Sequence, residues 1–418
     1  MQYLNIKNKI SFAFFFLLIS QTVFSQENSP YSRYGVGNLK SNEMLQNKGM
    51  GGVNTADQNP LYINPLNPAS YSFLKMTALQ AAIEGSLVTI KNSSTSNRVG
   101  ASNLSYVNVA FPLAKNAGLS FGLLPITRSR YNFEKYSSYD GIDSNVYTTW
   151  FGGGGLQKIY IGGAYAYKNL SIGINTGYTF GNLTNTTETT FTDTLQILAN
   201  NVSSRTVIGG FFWQGGLLYS HKLKDDYALN LGFTYSGSEN LRAKKESYWE
   251  SFIGTSTNTV NRVDSVLEKK GTIQLPSRYA AGLMLVNGDY WKVGIDYTAS
   301  NWSQYRSYGS ADSFGNAYMI KVGGAITPNT NATNDYWKRV NYRAGFYTGT
   351  DIVKLNQNKI TQTGITVGAG FPIRRTNLSI GQINAVFDIG KRGTINSGLV
   401  KENYTRLALG YCSMTNGL

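Results

Sequence analysis

Apolar and polar side chains alternate along most of the chain after about Thr77. In 170–181 the apolar residues share one parity, and they are Leu170, Ile172, Ile174, Tyr178 and Phe180. Successive side chains of a β-strand point to opposite faces of the sheet, so a period of two predicts strands with one apolar face. The segments 227–236 and 291–298 repeat the pattern with Tyr and Trp at their ends, which is typical of a lipid-facing barrel wall with aromatic girdles.

About fourteen such segments follow one another, at 77–89, 103–112, 117–131, 148–167, 169–182, 205–221, 226–240, 270–286, 290–306, 317–327, 339–349, 362–371, 377–390 and 403–412. Short turns alternate with long polar connections, which we place at 132–147, 183–204, 241–269 and 391–402. An outer-membrane barrel has short periplasmic turns and long external loops, whereas a soluble β-sandwich has no reason for this parity. We therefore predict an all-β fold, a 14-stranded antiparallel transmembrane β-barrel.

The first 25 residues have the features of a secretory signal peptide. Lys7 and Lys9 precede an apolar run over 10–19, and Val23, Phe24 and Ser25 follow it. The alternative is an amino-terminal anchor helix, but the run is short for a bilayer span. We predict that residues 1–25 are removed before Gln26.

Residues 26–75 do not alternate and are interrupted by Pro30, Pro60, Pro65 and Pro68. Each proline fixes φ and removes a backbone donor, so this stretch is unsuited to a central strand. We predict that it forms a compact segment outside the sheet, or plug, and that residues 76–418 form the barrel.

The composition argues against catalysis and against metal binding. The chain has one cysteine, Cys412, and one histidine, His221, so a disulfide, a thiolate zinc cluster and any site with two imidazoles are excluded. Asp296 lies on the predicted inward face of its strand, where it would hydrogen-bond to the plug or to solvent. We predict no enzyme activity, no cofactor and no metal site.

Positive charge exceeds negative charge, with 38 Lys and Arg against 23 Asp and Glu. These basic residues are scattered singly, whereas a nucleic-acid binder concentrates them on one face. Scattered surface cations suit anionic lipid headgroups. We therefore expect outer-membrane lipid and anionic glycolipid as partners, and no nucleic acid.

Several motifs resemble those of the FadL family of outer-membrane transporters for long-chain fatty acids and other hydrophobic compounds. A glycine-rich stretch, 49–56, runs into Asn67-Pro68-Ala69, as in the hatch of that family. The stretches 275–278, 291–297, 301–303 and 342–345 are similar to later strands of the family. The resemblance implies a 14-stranded barrel with an amino-terminal hatch, and it carries the hatch contact onto Asn67, Pro68 and Ala69.

Pro125 lies inside the third predicted strand, where it cannot donate to a neighbouring strand. It marks either a local break in the wall or merely the rim of the membrane. The third strand of the FadL family is kinked at a lateral exit, so the resemblance implies an exit at Pro125 with Asn67, Pro68 and Ala69 beside it.

The resemblance implies a passive transporter in the outer membrane of a Gram-negative bacterium, with a hydrophobic small molecule such as a long-chain fatty acid as ligand. Two departures weigh against that function. The predicted inward faces are polar rather than apolar, and no terminal aromatic residue follows Tyr411. The alternative is a FadL-like barrel that transports nothing and joins an outer-membrane secretion or assembly complex, with a protein partner at its external loops.

Overall fold

The structure is a computed structural model that describes residues 28–138, 146–191, 198–253, 261–355, 357–375 and 379–415. The predicted signal peptide, 1–25, lies outside the described residues. The barrel strands are β1 Thr77–Lys91, β2 Ser96–Ala114, β3 in two halves (Ala117–Pro125 and Thr127–Ser137), β4 Val146–Tyr167, β5 Leu170–Phe191, β6 Leu198–Lys222, β7 in two halves (Tyr227–Ser236 and Glu239–Ile253), β8 in two halves (Asn261–Leu275 and Arg278–Asn287), β9 Trp291–Ser300, β10 Ala317–Ile326, β11 Asn341–Leu355, β12 Asn358–Arg375, β13 Ser379–Gly393 and β14 Lys401–Thr415.

These strands form one closed antiparallel sheet of 14 strands. Each strand pairs with the next one along the chain, and β14 closes the circle on β1 from Lys401↔Lys91 to Thr415↔Thr77. Closure gives the backbone groups of the wall partners within the sheet, which a bilayer requires. The predicted fold class is therefore confirmed.

The two faces of the wall differ as the alternation predicts. On β5, Ile172 is 57% exposed on the outside, whereas its neighbour Ser171 is fully buried. The outward side chains of β4 and β5 form an apolar band that ends near Ile159 and Phe180, with Tyr165 and Leu170 toward the other rim. This band has the apolar character that the outer face of a membrane barrel requires.

Two of the predicted long loops, 183–204 and 241–269, are wrong. Strand β5 continues to Phe191, β6 begins at Leu198, and the second halves of β7 and β8 fill most of 239–275. Outside the apolar band a strand needs no apolar face, because Thr, Ser and Asn can pair across strands in water. From Gly181 to Phe191, β5 therefore extends about 35 Å along its axis beyond the band.

Residues 28–75, here called the amino-terminal segment, run through the lumen. The Tyr31 hydroxyl donates to the Val400 carbonyl near the long-loop end, and Tyr71 packs against Gly118 near the short-turn end. The segment contains 3₁₀ helices at Pro30–Arg33 and Pro68–Phe73, a two-residue strand at Asn38–Leu39 and a one-turn α-helix at Leu45–Lys48. Further 3₁₀ turns occupy Trp302–Gln304, Tyr336–Arg339 and Asn396–Gly398, and a short strand occupies Arg306–Ser307.

Among the described residues, no helix is both long and apolar enough to cross a membrane.

Candidate functional site

Three ion pairs tie the amino-terminal segment to the wall. They are Glu43–Lys321, Lys48–Glu84 and Asp57–Lys292. All six side chains are at most 15% exposed, and the pairs reach β10, β1 and β9. A buried pair is strongly destabilised when one partner is lost, because the other charge then stays uncompensated away from water. The segment is therefore held at three separate points.

Glu43 stays ionised despite its burial. Burial alone raises the pKa of its carboxyl, but the charge and the hydrogen bond of Lys321 outweigh that effect and lower the pKa to about 2. The ion pair therefore persists over the whole neutral and mildly acidic range.

Asp296 of β9 makes a fourth attachment. Its Oδ2 accepts hydrogen bonds from the backbone N–H groups of Asn54 and Thr55 and from the Thr55 hydroxyl, each at 2.8 Å. The sequence predicted that Asp296 hydrogen-bonds either to the plug or to solvent, and the structure shows that its partner is the amino-terminal segment. Gly232 and Gly282 allow this close approach, since a Cβ on Gly232 would overlap the Thr55 carbonyl and one on Gly282 would crowd the Thr55 side chain.

Asn67, Pro68 and Ala69 pack against β5 and β6. The Asn67 side chain accepts a hydrogen bond from the Ala69 N–H at 3.1 Å and donates one to the Thr55 carbonyl at 2.7 Å. A Cβ on Gly173 of β5 would overlap Pro68, and one on Gly216 of β6 would overlap Asn67. These three residues therefore fasten the segment to the wall at the short-turn end.

The structure does not bring this motif to Pro125, so the expected adjacency is wrong. Gly173 pairs with Ala164, which in turn pairs with Gly118. Gly118 lies seven residues before Pro125 on β3, or about 23 Å along the strand. The resemblance to the FadL family predicted the motif as a contact between the segment and the wall, but it did not correctly predict where along the barrel axis the motif lies.

Pro125 ends the first half of β3 at an interruption in the wall. On one side β3 pairs with β2 only from Ala117 to Leu123, while residues 96–106 of β2 pair with β1 alone. On the other side both halves of β3 pair with β4. Beyond Pro125 the edge of β3 therefore lacks its barrel neighbour.

The amino-terminal segment occupies that edge itself. Asn38–Leu39 pairs with β3 at Arg128 and Thr127. The Arg130 N–H donates to the Ser32 hydroxyl oxygen at 3.0 Å, and the Ser32 hydroxyl has the Arg130 carbonyl as a 2.7 Å acceptor. Residues 28–40 thus replace part of the missing strand and close the interruption from within.

An aromatic closure fills the lumen at the long-loop end. The connection between β9 and β10, residues 301–316, folds inward, and the ring of Phe314 lies 5.0 Å from that of Tyr305 and 5.3 Å from that of Trp302. All three are at most 8% exposed and belong to one buried cluster with Tyr31 and Val36 of the segment. The described part of this end is packed like a protein core.

A cavity of about 850 Å³ lies inside the barrel and reaches the interruption at Pro125. Nine lysines and arginines and six carboxylates line it, so its wall is charged rather than greasy. A polar lining accepts hydrated or anionic groups more readily than a bare hydrocarbon chain.

Sequence reasoning missed Glu43, Asp57, Lys292 and Lys321 as functional positions. Lys292 lies on the inward face of its strand, as Asp296 does. An inward-facing charge was therefore the sequence signal that could have marked Lys292 as a contact to the segment. Its partner Asp57 could not be identified from the sequence, because the two residues lie 235 positions apart in the chain.

A comparison with protein-family models matches the family described as BamG over residues 6–415. The chain belongs to the BamG family. No curated protein matches this BamG-family chain in sequence. Its expected FadL-type fold is supported by solved structures, whereas membership of the FadL family itself is not shown.

Three solved structures resemble the BamG-family chain in fold. The Pseudomonas aeruginosa FadL homologue has a TM-score of 0.57 at 12% identity, covering 94% of this chain and 99% of its own. The Ralstonia pickettii toluene transporter TbuX has a TM-score of 0.56 at 13% identity, covering 88% and 97%. The Pseudomonas putida toluene transporter TodX has a TM-score of 0.51 at 15% identity, covering 94% and 100%. At such identities the likeness concerns the fold of this BamG-family barrel and not its activity.

Proposed function

We propose that the chain is a closed barrel of the outer membrane of a Gram-negative bacterium, and that it serves as a partner in a secretion or assembly complex rather than as a transporter. The observation that carries the proposal is self-occlusion. Residues 28–40 cover the interruption in the wall, and residues 301–316 fill the long-loop end. We further propose that residues 1–25 are a signal peptide and that residues 26–75 are a fixed hatch.

The attachments of the segment support a fixed hatch. Opening a path would separate three buried ion pairs and leave the Asn54 and Thr55 donors without Asp296. Each abandoned buried donor costs about 1–3 kcal/mol, and a broken buried ion pair costs about 3–5 kcal/mol. Such costs are unsuited to a hatch that moves in every transport cycle.

The strand extensions supply a surface for a protein partner. The ends of β4 to β8 stand beyond the apolar band on one side of the barrel, while β9 and β10 have only 10 residues each. The extension of β5 consists largely of Thr, Asn and Glu, as in 184–190. A paired polar sheet of this kind offers a rigid surface without exposing an apolar patch.

The experiment is site-specific photo-crosslinking in the native outer membrane, followed by purification of the tagged chain. A crosslinker at Thr187 on the extension should join the chain to another protein in near-stoichiometric yield. The matched control at Ile172, in the apolar band of the same strand, should give lipid adducts only. Purification as a lone barrel with no protein adduct at Thr187 would contradict the proposal.

A second candidate, passive uptake of a hydrophobic molecule such as a long-chain fatty acid with lateral exit at Pro125, has two observations in its favour. The cavity reaches the interruption in β3, and the chain has the fold of solved hydrocarbon transporters. Under this candidate Asn67, Pro68 and Ala69 anchor the hatch. Saturable uptake of palmitate by proteoliposomes, slowed in Pro125→Val, would favour it over the partner role.

A further inference from the structure

Three inward side chains form a row across the wall of the cavity. Arg278 of β8 stands directly opposite Ser236 of β7 and Ser300 of β9. The parity is inward, because Met284 on the same face of β8 is buried while Leu283 is 41% exposed on the outside. Directly opposed residues have Cβ atoms about 4.5–5.5 Å apart, so both hydroxyls lie within reach of one small group beside Arg278.

Arg278 is one of three arginines of this cavity that make no ion pair within the described part of the chain, the others being Arg128 and Arg130. Within the described part of the chain, every carboxylate that lines the cavity pairs with Lys or Arg, as in Glu43–Lys321 and Lys158–Glu239. Arg278 has neither an ion pair nor a side-chain hydrogen bond in that part. Nine cations against six carboxylates leave the cavity wall with an excess of three positive charges, to which Arg278 contributes.

The chemistry of the row fits an oxyanion. A guanidinium presents a planar fork of donors that matches a carboxylate or a phosphate, and each serine adds a hydroxyl donor. Arg278 is exposed to the cavity, so its guanidinium is accessible to a ligand there. We propose that Ser236, Arg278 and Ser300 form a binding site for an oxyanion of the phosphate or carboxylate type.

Two sources can supply such a group. One is a free anion, and the other is the head of an amphiphile whose apolar tail lies in the wall interruption beside Leu104, Leu123 and Ile126, which line the same cavity. The site is independent of whether the barrel transports or joins a complex, so the two proposals fail separately.

Equilibrium dialysis of the full-length protein in non-ionic detergent tests the site, with radiolabelled inorganic phosphate and radiolabelled decyl phosphate as probes. Arg278→Gln should weaken binding at least tenfold. The matched control is Arg242→Gln, because Arg242 is exposed, lies on the outward parity of β7 and does not line the cavity. Ser236→Ala/Ser300→Ala leaves the charge in place and should weaken binding several-fold.

Each outcome decides the question. Loss of binding in Arg278→Gln but not in Arg242→Gln supports the site, provided that both variants keep the gel migration of the folded barrel. Binding of both probes indicates that a free anion suffices, and binding of decyl phosphate alone indicates a lipid headgroup. If Arg278→Gln does not fold, unchanged binding in the double serine variant overturns the proposal. No binding of either probe to the wild type, or unchanged binding in folded Arg278→Gln, also overturns it.

Discussion

The middle of the lumen and its long-loop end are both filled, but by different physical means. In the middle, Glu43, Asp57 and Asp296 hold the amino-terminal segment through charge and hydrogen bonds. At the long-loop end, the rings of Tyr305 and Phe314 close the lumen by apolar packing. Charged contacts require one partner at one place and respond to pH, whereas apolar packing tolerates small shifts and does not titrate.

The contrast indicates that the two regions have different roles. The charged contacts set the position of the segment, because a displaced carboxylate would be buried without its cation. The aromatic closure excludes water above the cavity without specifying a partner. Substitutions in the two regions should therefore differ in the size of the free-energy change, in its pH dependence and in how many residues of the segment are affected.

The largest effect is expected for Glu43→Gln. It leaves Lys321 charged and buried without a carboxylate, so the docked state of the segment should lose about 3–5 kcal/mol. Hydrogen exchange of the backbone amides of 44–57 measures the loss. The control Glu43→Gln/Lys321→Met removes both charges and should recover most of the protection, and equal exchange in both variants would contradict the role of the pair.

A slightly smaller effect is expected for Phe314→Ala. The removed ring leaves a cavity among Trp302, Tyr305 and Gly35, at a cost of about 3–4 kcal/mol. Exchange should rise in 30–36 and 301–316 and stay unchanged in 44–57. A rise that spreads along the whole segment would show that the two regions are one cooperative unit.

Acid should loosen the middle region through Glu43 but leave the ring packing of Tyr305 and Phe314 unchanged. The pKa of Glu43 is about 2 in the folded protein against an ordinary value of 4.5. Its contribution, roughly 3 kcal/mol, is therefore complete above pH 4.5 and is lost as the pH falls toward 2. Exchange of 44–57 measured between pH 5 and pH 2.5 should show the loss in the wild type, and Glu43→Gln should lack this component of it.

The smallest effect is expected for Ser32→Ala. It removes the hydroxyl that bonds to the backbone of Arg130, at a cost of about 1 kcal/mol. Proteolysis should then trim the chain near residue 32 faster, while the ion-paired middle stays intact. Ser70→Ala is the control, because the Ser70 hydroxyl donates within the segment to the Asn64 carbonyl at 3.3 Å, and this variant should be trimmed at the wild-type rate.

The sequence predicted the strands well inside the apolar band and poorly beyond it. Alternation located β5 over 170–181, where one face is apolar, but it gave no signal over 182–191, where most side chains are Thr, Asn or Glu. The ends of β7 and β8 were missed for the same reason. Pairing of polar strands depends on a neighbouring strand that a local pattern does not reveal.

The site was predictable only in part. The lone inward carboxylate Asp296 was recognisable from its parity, and Pro125 from its missing donor. The carboxylates Glu43 and Asp57 lie in a stretch without periodicity, so nothing in the sequence indicated which lysine each would meet. The position of Asn67, Pro68 and Ala69 rested on the family resemblance, and it depends on packing against Gly173 and Gly216 that the motif alone does not encode.

The central claim, that the barrel works with its lumen closed, is tested most directly by a reversible lock. Asn38 and Arg128 are paired across the interruption, so cysteines at these two positions lie within disulfide reach. The natural Cys412 is buried and does not compete. Uptake of radiolabelled palmitate by proteoliposomes is then measured with the lock oxidised and reduced. The account predicts no saturable uptake in either state, and saturable uptake that oxidation abolishes and a reductant restores would contradict it.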